Sequence, residues 1–335
     1  MAAPAQRALV AITAHYTPDV ARHRALAEVV AAVQGWQIQT AIVLFSQNAT
    51  ALAAALRAAG ARDSGISLRN YRSAALIHPW MLAFAHRKLF EANLAKFDLF
   101  AYLEDDIELT WAHVVAWARD DAALARHSAA TGARWSRGFY RLHRDDASRM
   151  SRDDIFACEF NFSSWPCRIP PPAGGGGALG YVKLRNPYSA AWLMRRARLA
   201  ALINSSQWRP RRPGASKHVL PGVPWSIRES AAAGDQFLHG AGYRGCGLGT
   251  AVVPYEMTAA GPRLAANAGV RHLVPAKPCG CKLDDLRKDV FVAQCLCDGA
   301  AATFAAAPAG CAAAVGEGGG GAGYTPMRRY GDVWR

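Results

Sequence analysis

The sequence predicts an α/β protein: a mostly parallel sheet flanked by helices, followed by a less regular second half and a cysteine-containing C-terminal extension. Three observations carry that expectation. Short apolar runs alternate with helical stretches over the first hundred residues. One such run, at 99–103, breaks directly into three consecutive acids, Glu104-Asp105-Asp106. From Gly132 onward the texture shifts to aromatic, basic, Pro-rich and Gly-rich sequence.

The elements follow in order. Residues 8–13 (Ala-Leu-Val-Ala-Ile-Thr) form a short buried strand. Thr17-Pro18-Asp19 then opens a helix, with Thr17 as N-cap, Pro18 in the first position and Asp19 in the first turn, and the helix runs to about Gln34. A second strand spans 38–45, a polar Ser46-Gln47-Asn48 turn follows, and an Ala-rich helix occupies about 50–59. Residues 66–70 make a third strand. Pro79 opens a helix to about Leu94, with Trp80, Phe84 and Leu89 on one apolar face. Strands linked by helical crossovers imply a parallel, doubly wound sheet.

Beyond the acids the expectations are looser. Strand-like sequence spans 181–184 and 250–255, with helices from Ala190 to about Leu202 and at 226–233. Residues 205–224 form a Pro- and Arg-rich loop with the character of a lid. The expected organisation is a domain over 1–275, divided into a ligand-binding half at 8–131 and a second half at 132–275. An extension at 276–335 ends in Ala/Gly runs expected to be disordered.

Composition bounds the class. The 335 residues are 51% hydrophobic, enough to bury a full core. No apolar run reaches the roughly 18 residues a membrane span needs, and the first seven residues lack signal-peptide character. The compartment is left open, with a cytoplasmic location the expectation from those absences and a secretory or Golgi lumen the alternative if the N-terminus is truncated. Net charge is +14, from 39 basic and 25 acidic residues. The basic residues are mostly Arg and scattered, without a basic arm, so a small anionic ligand is expected rather than nucleic acid. Cys279-Gly-Cys281 and Cys295-Leu-Cys297 are separated by thirteen residues. Two disulfides, a zinc knot or free thiols all remain open for them. Sequons at Asn48, Asn161 and Asn204 favour the secretory route if they are used.

The acids carry the chemistry. Side chains alternate along a strand, so Glu104 and Asp106 are expected on one face and Asp105 on the other. Carboxylates at the ligand-binding end of a parallel sheet suit a hard divalent cation bridging phosphates. The competing reading is a turn whose acids cap a helix starting near Thr110.

With the β-α-β half, the strand-plus-acids motif and the irregular half in place, the chain resembles GT-A-type glycosyltransferases, whose Rossmann-type sheet ends in a D-x-D motif. Here that motif reads Glu104-x-Asp106. Stretches 76–79, 97–107, 186–192 and 227–232 are similar to sequences described as glycosyltransferase-like, and the resemblance covers about residues 8–275. It implies metal-dependent transfer of a sugar from a nucleotide-diphosphate sugar to a glycan or other hydroxyl acceptor, with Mn²⁺ or Mg²⁺ as cofactor.

The resemblance also implies roles. Asp106 would bind the metal directly and Glu104 would be a second or water-mediated ligand. Asp105 would meet ribose or metal-bound water, and His272 would complete the metal site. Thr13 and His15 fall where base and ribose dock, or in an ordinary loop. Arg87, with His86, would approach the diphosphate or face solvent. If configuration is inverted, a carboxylate must take the acceptor proton. Glu229 is the first candidate and Asp235 the second, although Arg228 would lower the basicity of Glu229. Trp135, Phe139, Tyr188 and Trp192 could stack on sugars, or be core. The alternatives are a non-catalytic nucleotide-binding module and a metal-dependent phosphohydrolase or nucleotidyltransferase. No phosphate loop, G-x-S-x-G elbow or early G-x-G-x-x-G is present.

Overall fold

In chain order the first strands are β1 (Arg7–Thr13), β2 (Gln39–Ser46), β3 (Ile66–Asn70), β4 (Leu99–Glu104) and β5 (Ile107–Glu108). Next come β6 (Trp135–Arg137), β7 (Tyr140–His143), β8 (Arg149–Ser151), β9 (Arg168–Ile169) and β10 (Leu179–Lys183). The last are β11 (Ala191–Arg195), β12 (Thr250–Thr258), β13 (Gly261–Leu264), β14 (Gly269–His272) and β15 (Pro278–Lys282). The helices are α1 (Val20–Gln34), α2 (Ala49–Ala58), α3 (His86–Asn93), α4 (Trp111–Thr131) and α5 (Arg196–Ile203). The computed structural model describes residues 7–62, 64–71, 79–131, 135–143, 149–151, 168–169, 179–183, 189–204, 208, 250–258, 261–274 and 278–282.

The main sheet has the order β11-β4-β1-β2-β3. Strands β1 to β4 are parallel, and β11 runs antiparallel on the far side of β4. Successive strands step outward from β1 through β2 to β3, then cross to the other side of β1 for β4. That reversal creates a crevice at the carboxyl ends of β1 and β4, where open α/β sheets bind ligands. β4 is buried at every position, as its uninterrupted apolar run requires of a central parallel strand. Two smaller sheets follow, β13-β12-β10-β9 with β6 beside β12, and β15-β8-β7-β14-β5.

Four expectations change in detail. The N-cap of α1 is Asp19, whose carboxylate accepts the Ala21 N–H at 2.9 Å, so the helix starts three residues beyond Thr17. The stretch after Pro79 is a 3₁₀ segment, Pro79–Phe84, before α3 begins at His86. The helix expected from Ala190 is instead strand β11 followed by α5. A four-residue apolar run carries no period that separates helix from strand, and cross-strand pairing decides it. Trp192 stacks on Tyr102 of β4 at 6.1 Å between ring centroids. Finally, β15, inside the expected extension, pairs with β8.

Cys279 and Cys281 lie on β15. Cys295, Cys297, the sequon at Asn161, the loop at 209–224 and the helix at 226–233 lie outside the described residues. Asn48 caps α2 by accepting the Ala51 N–H at 3.1 Å, and Asn204 is the C-cap of α5. Among the described residues, no helix is long and apolar enough to cross a membrane.

A buried ion pair fastens α4 to the second half. Arg137 Nε donates to Asp120 Oδ2 at 3.0 Å, both side chains fully buried. The same guanidinium donates to the Asn267 carbonyl at 2.6 Å, just before β14. At Gly269 the strand passes so close to Leu142 that an added Cβ would lie 2.5 Å from its methyl carbon. Removing one partner of a buried pair strands the other charge. Asp120→Ala should therefore destabilise the protein by about 3–5 kcal/mol in urea unfolding, and Asp120→Leu combined with Arg137→Met should recover most of that loss.

Candidate active site at the acidic edge

The last residues of β1 and β4, Thr13 and Glu104, are register partners across the crevice. Tyr102 sits between them: its hydroxyl is 3.1 Å from Thr13 Oγ1 and donates to Glu104 Oε1 at 3.5 Å. The Glu104 N–H is held at 2.9 Å by the carbonyl of Ala190, a buried residue with φ of 56°. A non-glycine residue in that region stores strain that its neighbours must hold in place.

After Glu104 the chain turns through Asp105 and Asp106 and enters β5. Glu104 and Asp106 are buried and Asp105 is half-buried, so burial alternates as a strand would, although the path is a turn. The acids do not cap α4. Thr110 occupies that position: its N–H donates to His113 Nδ1 at 3.0 Å, and its carbonyl accepts the His113 and Val114 N–H groups. His113 in turn donates Nε2–H to the Gly269 carbonyl at 2.9 Å, and burial brings its pKa down to about 4.

Pairing of β5 with β14 brings His272 onto Asp106. Its Nε2 donates to Asp106 Oδ2 at 3.1 Å, and the Leu273 N–H donates to the Asp106 carbonyl at 2.7 Å. Arg22, in the first turn of α1, places Nη2 3.7 Å from the same Oδ2. The other oxygen, Asp106 Oδ1, is buried and has no hydrogen-bond partner among the described residues. Burial alone would raise the Asp106 pKa. The hydrogen bond and charge of His272, with the charges of Arg141 and Arg22, outweigh it and hold the group at about 2. Asp105 goes the other way, to about 8, through burial and then repulsion from Asp106 and Glu104, relieved in part by Arg22.

The remaining candidates are placed as follows. His15 is exposed at the end of β1, its pKa lowered by burial of part of the ring and by Arg22. Arg87 and His86 are buried rather than facing solvent. The Arg87 guanidinium lies 4.4 Å from the Phe84 ring centroid and donates to the Trp208 carbonyl. His86 packs 4.6 Å from the Tyr102 ring, and burial and then Arg87 depress its pKa strongly. Trp135, Phe139 and Trp192 are buried in the core. Glu229, Asp235 and Tyr188 lie outside the described residues.

Arg22, Arg141 and Tyr102 are missing from the expected site, and Arg22 had a signal in the sequence. A cation in the first turn of a helix opposes the macrodipole, so its presence calls for a local anion. Arg141 and Ala190 depend on long-range pairing and a backbone angle that no local pattern encodes.

A shallow groove of about 730 Å³, lined by Glu91, Asp98, Arg196 and Ala200 among others, opens at the amino end of β4. It faces away from the edge at which such sheets bind ligands. Comparison with known families and with curated proteins finds no match to this chain.

The donor set fits a divalent cation in one respect. Asp106 Oδ1 is a hard, buried, unpartnered oxygen beside two more carboxylates. Among the described residues, no group of three or more His, Cys, Asp and Glu side chains converges on one metal position. Mg²⁺ sites commonly use only one or two protein carboxylates, with phosphate and water completing the shell.

The two shifted aspartates act in opposite pH windows. Asp106, depressed, contributes stability that is complete above its unfolded value of 3.8 and is lost as pH falls through about 2. Asp105, raised, contributes stability that is complete below 3.8 and is lost as pH rises through about 8. Asp105→Asn should flatten the fall in melting temperature between pH 4 and 8, whereas the acid limb below pH 4 should persist. An unchanged slope in the variant would show that Asp105 does not titrate in that window.

Proposed function

We propose that this protein is a glycosyltransferase of GT-A type, moving a sugar from a nucleotide-diphosphate sugar to a hydroxyl acceptor. The observation that carries the reading is Asp106 Oδ1, a buried carboxylate oxygen with no hydrogen-bond partner among the described residues, at the switch-point edge of the main sheet. Such an oxygen is costly unless a ligand meets it. Asp106 would hold Mn²⁺ or Mg²⁺, with Glu104 and His272 around it. When bound, the metal would offset the negative charge that grows on the departing diphosphate.

The chain's own residues do the rest. His272 and Tyr102 fix the carboxylates of Asp106 and Glu104, so the site is ordered before substrate arrives. Thr13 and His15 line the edge that would receive the nucleoside. Arg87 has no part in this reading, because it is packed against Phe84 and bonded to Trp208. In the transfer, the bond from the sugar's anomeric carbon to phosphate oxygen breaks and a bond to the acceptor oxygen forms. In an inverting enzyme the acceptor proton passes to a carboxylate, for which Glu229 and then Asp235 are the candidates.

Calorimetric titration of UDP and GDP, with and without Mn²⁺, tests the reading. One nucleotide should bind only with metal, and Asp106→Asn should weaken it by at least about 100-fold, about 3 kcal/mol. Metal-independent binding, unchanged in the variant, would leave a nucleotide-binding module. Binding of neither nucleotide would remove the transferase reading.

A further inference from the structure

Of the two guanidinium groups described at the site, Arg22 is the one whose position is not explained by packing. Arg141 is buried, as is the neighbouring His272, whereas the Arg22 side chain is 32% exposed. It stands in the first turn of α1, where the helix dipole disfavours a cation. Its ion pair with Asp106 is loose, at 3.7 Å, and is made to an oxygen already bonded to His272. A guanidinium so placed has donors to spare, since it carries five N–H groups in a planar fork suited to phosphate. It also faces the same edge as His15 and Asp105, both of which feel its charge.

We propose that Arg22 is a substrate-positioning residue that exchanges its ion pair with Asp106 for the ligand's diphosphate. The inference rests on the transferase reading above. Before ligand arrives, Arg22 balances part of the negative charge of the acids. As a divalent cation meets Asp106, that balance is no longer needed and the two cations repel. Arg22 then swings its partly exposed head to the phosphate oxygens, which require positive charge from the protein side as well as from the metal. No covalent bond changes in this exchange.

Two affinities should therefore move in opposite directions when Arg22 is removed. Arg22→Ala deletes a competitor for Asp106, so Mn²⁺ alone, followed by its electron paramagnetic resonance signal, should bind about two- to fivefold more tightly. The same variant should bind UDP or GDP with Mn²⁺ about 10- to 100-fold more weakly. Arg22→Lys, which keeps charge without the fork, should fall between wild type and Arg22→Ala. Arg24→Ala, an exposed charge on the same helix, should leave both affinities unchanged.

The outcomes separate cleanly. If wild type binds neither nucleotide, the transferase reading fails and this inference with it. Metal-dependent nucleotide binding that Arg22→Ala leaves intact overturns the exchange alone. So does a parallel loss of metal and nucleotide affinity, which would mark Arg22 as a structural prop for Asp106. Equal losses in Arg22→Ala and Arg24→Ala would reduce the effect to net charge and also overturn it.

Discussion

A carboxylate buried at the end of a parallel strand is tolerable only where hydrogen-bond donors and cations come to meet it, and at Asp106 they come from three separate elements. His272 arrives on β14, Arg141 on β7 and Arg22 on α1. None of these elements is adjacent to β4 in sequence, so the carboxylate is satisfied only when both halves of the chain have folded. The β5–β14 pairing and the Leu273 N–H on the Asp106 carbonyl fix the same junction through the backbone. Among the described residues, none donates a hydrogen bond to Asp106 Oδ1 there. The fold buries that oxygen without giving it a donor, and the functional reading rests on that arrangement.

Support for the junction extends well behind it. The Asp120–Arg137 pair, buried at both ends, ties α4 to β6 and reaches the turn at Asn267 that launches β14. His113 bridges the first residue of that strand to the start of α4 through a neutral imidazole. Tyr102, stacked against Trp192 and packed at a tilt against His86, positions its hydroxyl between Thr13 and Glu104. Each contact links the acidic edge to an element whose own core burial is independent of the ligand. The carboxylates of the acidic edge are therefore held in place by contacts with the core.

Much of this was legible in the sequence, and the gaps have physical causes. The parallel strands β1, β2 and β4 announce themselves as short apolar runs and β3 as an apolar–polar alternation, Ile-Ser-Leu-Arg-Asn, and the break from Leu103 into Glu104 marks the strand end. His272 was placed beside the acids by resemblance, and the β5–β14 register brings it there. Strand β11 was unreadable because Ala191-Trp192-Leu193-Met194 is too short to show a period, and the positive φ of Ala190 that stops a helix is invisible in an alanine. Thr17 looked a better cap than Asp19 because both residue types serve. Arg87 was expected to approach the diphosphate or face solvent, but here aromatic rings and a backbone carbonyl take its charge inside.

The central claim is that the Asp106 edge receives a nucleotide-diphosphate sugar and releases the nucleotide. The most direct measurement is release of UDP or GDP from a panel of nucleotide sugars with Mn²⁺, read by mass spectrometry for wild type and Asp106→Asn. Slow hydrolysis of one donor by wild type, accelerated by an acceptor and absent in the variant, is the result this account predicts. Donor turnover that Asp106→Asn leaves at the wild-type rate would contradict it.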